Sequence, residues 1–235
     1  METFISIRRI SLYLVTAALL CGAESPSPAA DGQMPSGAPE DPFTQERDAR
    51  LTLEQGLHAL RTGLPGLAVD ILSPLLDSPD ALSPVDRERV ILGILDALLQ
   101  ADRTEEAILL LRQTGDRREP SYRLRWAIAE FLRGNPSSSK RWIRGVDPER
   151  LSGDAVPWFY LVKALLAERE GDPTAFSEAF QAAREATDSP FLKTTFDSIR
   201  ARLNILRGEA DEESIMALKS QLDTAVAIPL RIRLA

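Results

Sequence analysis

Cysteine and histidine are almost missing from this chain, with one of each in 235 residues. The cysteine, Cys21, lies inside the N-terminal apolar run, so everything downstream is without a thiol, which excludes disulfide staples and cysteine nucleophiles. His58 has no second histidine or downstream cysteine with which to build the usual zinc sets or a nucleophile–histidine relay. It reads as a partly covered histidine of the first helix, beside Leu57 and Leu60. Glycine-rich phosphate loops are missing too, since neither GxGxxG nor GxxxxGK[ST] occurs, and no nucleotide cofactor is indicated. Aromatic residues make up only 6%. Runs of β-branched residues are few, whereas Leu, Ala, Arg and Glu dominate, a mixture that favours helix over sheet. The 44% apolar content suffices for a buried core. These features predict an all-α protein with no catalytic residue, cofactor or metal.

The first 23 residues stand apart. Arg8 and Arg9 precede an apolar run from Ile10 to Leu20, and Cys21-Gly22-Ala23 supplies small side chains at the end, the pattern of a secretory signal. The run is shorter than the roughly 20 residues that a membrane span needs. Lipid attachment at Cys21 is a second reading, against which stands the bulky Leu20 directly before it. Residues 24–44, ESPSPAADGQMPSGAPEDPFT, are rich in Pro, Ser, Ala and Gly and too poor in large apolar groups to offset the entropy of ordering, so they read as a disordered linker. The export signal places the remainder, 45–235, in the periplasm or outside the cell.

That remainder is punctuated regularly. Ser83-Pro84, Asn135-Pro136, Asp172-Pro173 and Ser189-Pro190 each set a side-chain oxygen before a proline, the chemistry of a capped helix start. Asp102-Arg-Thr-Glu105 suits a capping box. Taking Gly63, Asp102, Gly134, Gly171 and Gly208 as turns inside successive units gives separations of 39, 32, 37 and 37 residues, the period of a helix-turn-helix repeat. Near 190–207, Leu192, Phe196, Ile199, Leu203 and Leu206 form one apolar stripe, whereas the helix near 157–170 is apolar almost all round and should pack on two sides.

The spacing also resembles the tetratricopeptide repeat pattern, W-x2-L-G-x2-Y-x8-A-x3-F-x2-A-x4-P. Gly56, Ala59, Ala68, Leu72 and Leu75 occupy five of its slots, with Pro79 one short of the last. Leu98, Ala107 and Leu111 keep the same spacing, as do Tyr160, Ala164, Phe180 and Ala183, although Phe176 stands where a small residue is expected. The unit around Trp126 fits poorly. This resemblance implies a right-handed α-solenoid of stacked antiparallel hairpins, about five degenerate units over residues 46–225. The chain closes on VAIPLRIRLA, apolar and basic with nothing after it to cover it, which is read either as truncation of a longer protein or as a segment that docks back or onto a partner.

Charge is distributed unevenly. Residues 112–150 hold ten basic and five acidic side chains in a chain of net charge −7. The basic members are Arg112, Arg117, Arg118, Arg123, Arg125, Arg133, Lys140, Arg141, Arg144 and Arg150, and all three tryptophans, Trp126, Trp142 and Trp158, lie in or beside this band. Near 120–133 the apolar stripe runs through Leu124, Ala127, Ile128, Phe131 and Leu132, with Tyr122, Trp126 and Arg133 opposite. Tyr122, Arg125, Trp126, Arg133 and Arg141 are therefore the candidate partner-binding residues, set to anchor an extended peptide or acidic segment. The competing reading makes Trp126 a second packing residue and lets the arginines extend into water. Arg125→Glu and Arg133→Glu are expected to weaken capture and spare the helices.

An acidic pI of about 5.0 argues against nucleic acid as the partner. The clusters Glu105-Glu106, Glu168 with Glu170, and Asp211-Glu212-Glu213 sit at helix starts and on solvated faces, and nothing marks two of them as a catalytic pair. The sequence thus reads as an exported, non-catalytic helical-repeat scaffold that binds protein. The alternatives are the helical part of a larger envelope enzyme, such as a cell-wall hydrolase, and a lipid-anchored component of an outer-membrane assembly.

Overall fold

The computed structural model describes residues 42–78, 81–114 and 119–209, and also 211, 212, 215 and 216. The signal with Cys21, residues 24–41 of the linker, Pro79, Arg117, Arg118 and the terminal VAIPLRIRLA lie outside the described residues. Nine α-helices and no strand occur among the described residues: α1 (Pro42–Arg61), α2 (Pro65–Leu72), α3 (Pro84–Gln100), α4 (Thr104–Thr114), α5 (Pro120–Leu132), α6 (Pro136–Ile143), α7 (Val156–Glu170), α8 (Pro173–Glu185) and α9 (Pro190–Arg207). None of them is long and apolar enough to cross a membrane.

Proline decides where the helices begin. It holds the first helical position in seven of the nine and the second in α7, where its fixed φ suits the helix and its missing N–H would have been unbonded anyway. The first helix accordingly starts at Pro42 inside the expected linker, after Asp41, with the same acid–proline grammar as Asp172-Pro173. Three of the four expected caps form: Ser83 Oγ accepts from Asp86 N at 3.1 Å, Asp172 Oδ1 from Ala175 N at 2.9 Å and Ser189 Oγ from Leu192 N at 3.4 Å. Asn135 instead gives its side-chain amide to Glu130. The Ser83 cap is reciprocal, because the hydroxyl also donates to Asp86 Oδ2. That hydrogen bond first, then Arg89 and Arg50, hold the Asp86 carboxyl below its ordinary titration range despite partial burial.

The corners between the helices of each hairpin share one geometry. The five residues with left-handed φ among the described residues are Gly63, Asp102, Gly134, Gly171 and Gly208. At each, its own N–H bonds the carbonyl three residues back and the following N–H bonds the carbonyl five back, at 2.8–3.4 Å. This pair of bonds satisfies the last carbonyls of the first helix and turns the chain sharply. Asp102 therefore acts as a glycine substitute at a corner. The expected capping box does not form there: α4 starts at Thr104, and Arg103 forks onto both oxygens of Glu106 at 2.7 Å.

Packing proceeds in series. One core joins α1, α2, α3 and α4 to Tyr122, Trp126 and Ala129 of α5. A second joins Leu124 and Ala127 of α5 to Ile143 of α6 and to Phe159, Val162 and Leu166 of α7. The third joins Leu161, Ala164 and Ala167 of α7 to Phe176 and Phe180 of α8 and Phe196 and Ile199 of α9. Helices α5 and α7 thus each feed two cores, and Trp142 and Trp158 sit at the seams. In the first core Gly56 lets α1 approach α2, since a Cβ there would lie 2.4 Å from Leu72 Cδ2. Leu72 is fully buried, and truncating such a side chain costs about 2–5 kcal/mol.

Three outcomes follow from the corners and the Ser83 cap. Asp102→Gly is expected to raise stability by about 0.5–1 kcal/mol in urea melts followed by circular dichroism, because it removes a left-handed L-residue. Gly171→Ala, with open space around the added methyl, is expected to lose about 1 kcal/mol for the converse reason. The Asp86 contribution is present in full above the ordinary carboxylate range and is lost as pH falls through its lowered value. Asp86→Asn should flatten that part of the acid unfolding profile, and a profile equal to wild type would count against the assignment.

Candidate functional site

The five expected partner-binding residues do not share one place: Tyr122 and Arg125 lie in the interior, Trp126 and Arg141 meet at a surface depression, and Arg133 lies outside both. Tyr122 and Arg125 point into the stack. Tyr122 is part of the first core, and the Arg125 side chain is 4% exposed, with Nη2 on Asp96 Oδ2 of α3 at 2.5 Å and Nη1 on the Ser121 carbonyl at 2.8 Å. Burial pushes the Asp96 carboxyl above its ordinary value, against the pull of the Arg125 guanidinium. Burial likewise raises the Tyr122 phenol, with Glu88 adding to the effect. The face of α5 assigned to a partner therefore packs on α3, and α5 has packed neighbours on two sides. Arg125 is corrected from a ligand contact to a pin between α3 and α5. Arg133 leaves the site as well, pairing its Nε with Glu105 Oε1 of α4 at 3.1 Å.

Trp126 and Arg141 do come together. Trp126 is 6% exposed and stacks on Trp142 of α6, with ring centroids 5.4 Å apart and planes inclined by 13°. Beside this pair an open depression of about 470 Å³ is lined by Arg112 of α4, by Arg123 and Glu130 of α5, and by Ser138 and Arg141 of α6. It runs on into a second depression of about 510 Å³ along the corner from Gly134 to Ser138, with Glu130, Ser138 and Arg141 shared. Arg123 is held in place by donating from Nε and Nη2 to the Trp142 carbonyl at 3.4 and 3.2 Å, and Arg141 Nη2 lies 3.4 Å from Ser138 Oγ.

The ion pairing shows why this spot differs from the rest of the basic band. Arg125, Arg133, Lys140 and Arg150 each have a carboxylate within ion-pair reach. Among the described residues Arg112, Arg123, Arg141 and Arg144 have none, and the first three of these line the depression. The acidic clusters are engaged elsewhere: Glu105 with Arg133, Glu106 with Arg103, Glu168 with Arg207 and Glu170 with Lys140. His58 is exposed on α1.

Arg112, Arg123, Glu130, Ser138 and Trp142 were not among the expected site residues. Their signal was helical spacing: Arg123, Trp126 and Glu130 fall at i, i+3 and i+7 on α5, and Ser138, Arg141 and Trp142 at i, i+3 and i+4 on α6. No family model matches this chain, and no curated protein or solved structure is found similar to it.

Removing Arg125 leaves Asp96, whose side chain is 26% exposed, with a partly desolvated charge and without its ion-pair partner. Arg125→Ala is expected to cost roughly 3 kcal/mol in urea melts, with Arg125→Glu costing more, whereas the joint change Arg125→Met with Asp96→Leu should recover most of the loss. A melt of Arg125→Glu matching wild type would refute the pin.

Proposed function

We propose that this chain is an exported, non-catalytic helical-repeat scaffold that captures a protein segment, with acidic side chains as the main anchors. The hairpins are read as a right-handed α-solenoid of about five tetratricopeptide-like units. Supporting that reading are the repeated corner, the small residues at the α1–α2 contact, and cores linked in series through α5 and α7. The helices around the depression are packed into two cores before any partner arrives, so capture orders little of the receptor there. The sequence of residues 1–23 supports export to the periplasm or beyond.

The observation that carries the binding proposal is the convergence of Arg112, Arg123 and Arg141, without carboxylate partners among the described residues, on a depression beside stacked indoles. Guanidinium groups offer planar forks that match carboxylates. Glu130 and Ser138 add acceptors for the N–H groups of a peptide. A partner with carboxylates on a peptide backbone satisfies both.

Fluorescence anisotropy with a labelled glutamate-rich peptide tests this. The double variant Arg112→Glu, Arg141→Glu is expected to bind at least about tenfold more weakly, from two lost charge-assisted contacts. Arg87→Glu, an exposed change on α3, should leave binding as it was. Equal affinity for the double variant and wild type would remove the depression from consideration.

A further inference from the structure

The cores link neighbours only, yet the ends of the row touch. At the corner between α1 and α2, a Cβ built on Gly63 would lie 2.3 Å from Cε2 and 2.5 Å from Cζ of Phe191, in the first turn of α9 and 128 residues further along the chain. The tip of the Phe191 ring therefore rests on the bare backbone of the first corner. Glycine fits there on two counts, since φ is +81°, which few L-residues adopt, and any Cβ would strike the ring.

Phe191 is separate from the packing of its own unit. It is 39% exposed, while Phe196 and Ile199 of the same helix are buried against α7 and α8. The helix is held at its other end by Arg207, whose Nε bonds Glu168 Oε1 at 3.0 Å and whose guanidinium lies 5.0 Å over the Phe176 ring. Near its middle, Arg184 pairs with Asp197 at 3.1 Å. The start of α9 is fixed by Pro190 and the Ser189 cap, which aims Phe191 outward from the unit. Half-exposed Leu64 directly follows the corner that receives the ring.

We infer that Phe191 on Gly63 is a latch. Seated, it closes the row of hairpins into an arc whose first and last described units meet; unseated, it lets those units part while every core stays packed. A series of hairpins joined neighbour to neighbour bends a little at each seam, so the distance between its ends is its softest coordinate. A half-exposed ring on a glycine is weaker than any of the three cores and is the first contact to release. The latch sets the curvature of the surface and does not depend on what the Arg112–Arg141 depression binds.

Electron–electron distance measurement on the full chain tests it, with nitroxides on Arg61→Cys and Thr194→Cys in a Cys21→Ser background. Wild type is expected to give a dominant short distance. Phe191→Ser should lose most of that population, and so should Gly63→Asn, in which asparagine tolerates the left-handed corner while its Cβ displaces the ring. Helical signal and melting midpoint should stay close to wild type in both, because no core residue is changed. Retention of the short distance in both variants, or its absence from wild type, overturns the latch.

Discussion

The reversal of the chain at a left-handed residue is the constraint on which the rest of this structure depends. Five times, a backbone that L-residues resist is held by two hydrogen bonds into the last turn of a helix, and at Gly63, Asp102, Gly134 and Gly171 the corner sends the chain back along the helix it has just made. Three of the five continue identically, as a glycine, one residue and then a proline that opens the return helix: Gly63-Leu64-Pro65, Gly134-Asn135-Pro136 and Gly171-Asp172-Pro173. Because the corner is tight, the two helices must lie against each other. Their facing residues then have to be small or apolar, as Gly56 and Leu72 are.

Corners and caps specify the geometry but supply little of the stability. Each is worth about 1 kcal/mol, whereas one large side chain truncated in a core costs several times that. The stabilising free energy lies in the three cores, and their arrangement in series gives α5 and α7 a double duty. A helix serving two cores has almost no free face. That explains both the nearly uniform apolar surface of α7 and the burial of Tyr122 and Trp126 on α5.

Electrostatics divides the arginines by the same geometry. Where acids and arginines from neighbouring helices meet at the seams they pair, as Arg133 does with Glu105 and Arg207 with Glu168. Exposed pairs of this kind contribute under about 1 kcal/mol and mainly fix register. The depression beside Trp142 differs because its arginines face Glu130 alone, already engaged by Asn135, so their positive potential stays directed outward.

The sequence by itself determined the all-helical class, four of the helix starts and the five corner residues, because proline's ring, a capping oxygen and a left-handed φ act within a few residues and need no distant partner. It also marked the band from Arg112 to Arg150 as basic. Tertiary structure alone decided which side of α5 faces outward, and so turned Arg125 from a surface charge into the partner of Asp96, 29 residues away. It decided which three arginines keep no carboxylate among the described residues, and it brought Phe191 onto Gly63. Helix rotation, ion pairing and closure of the row are set by residues on other elements, and no local pattern in the chain encodes the distance between them.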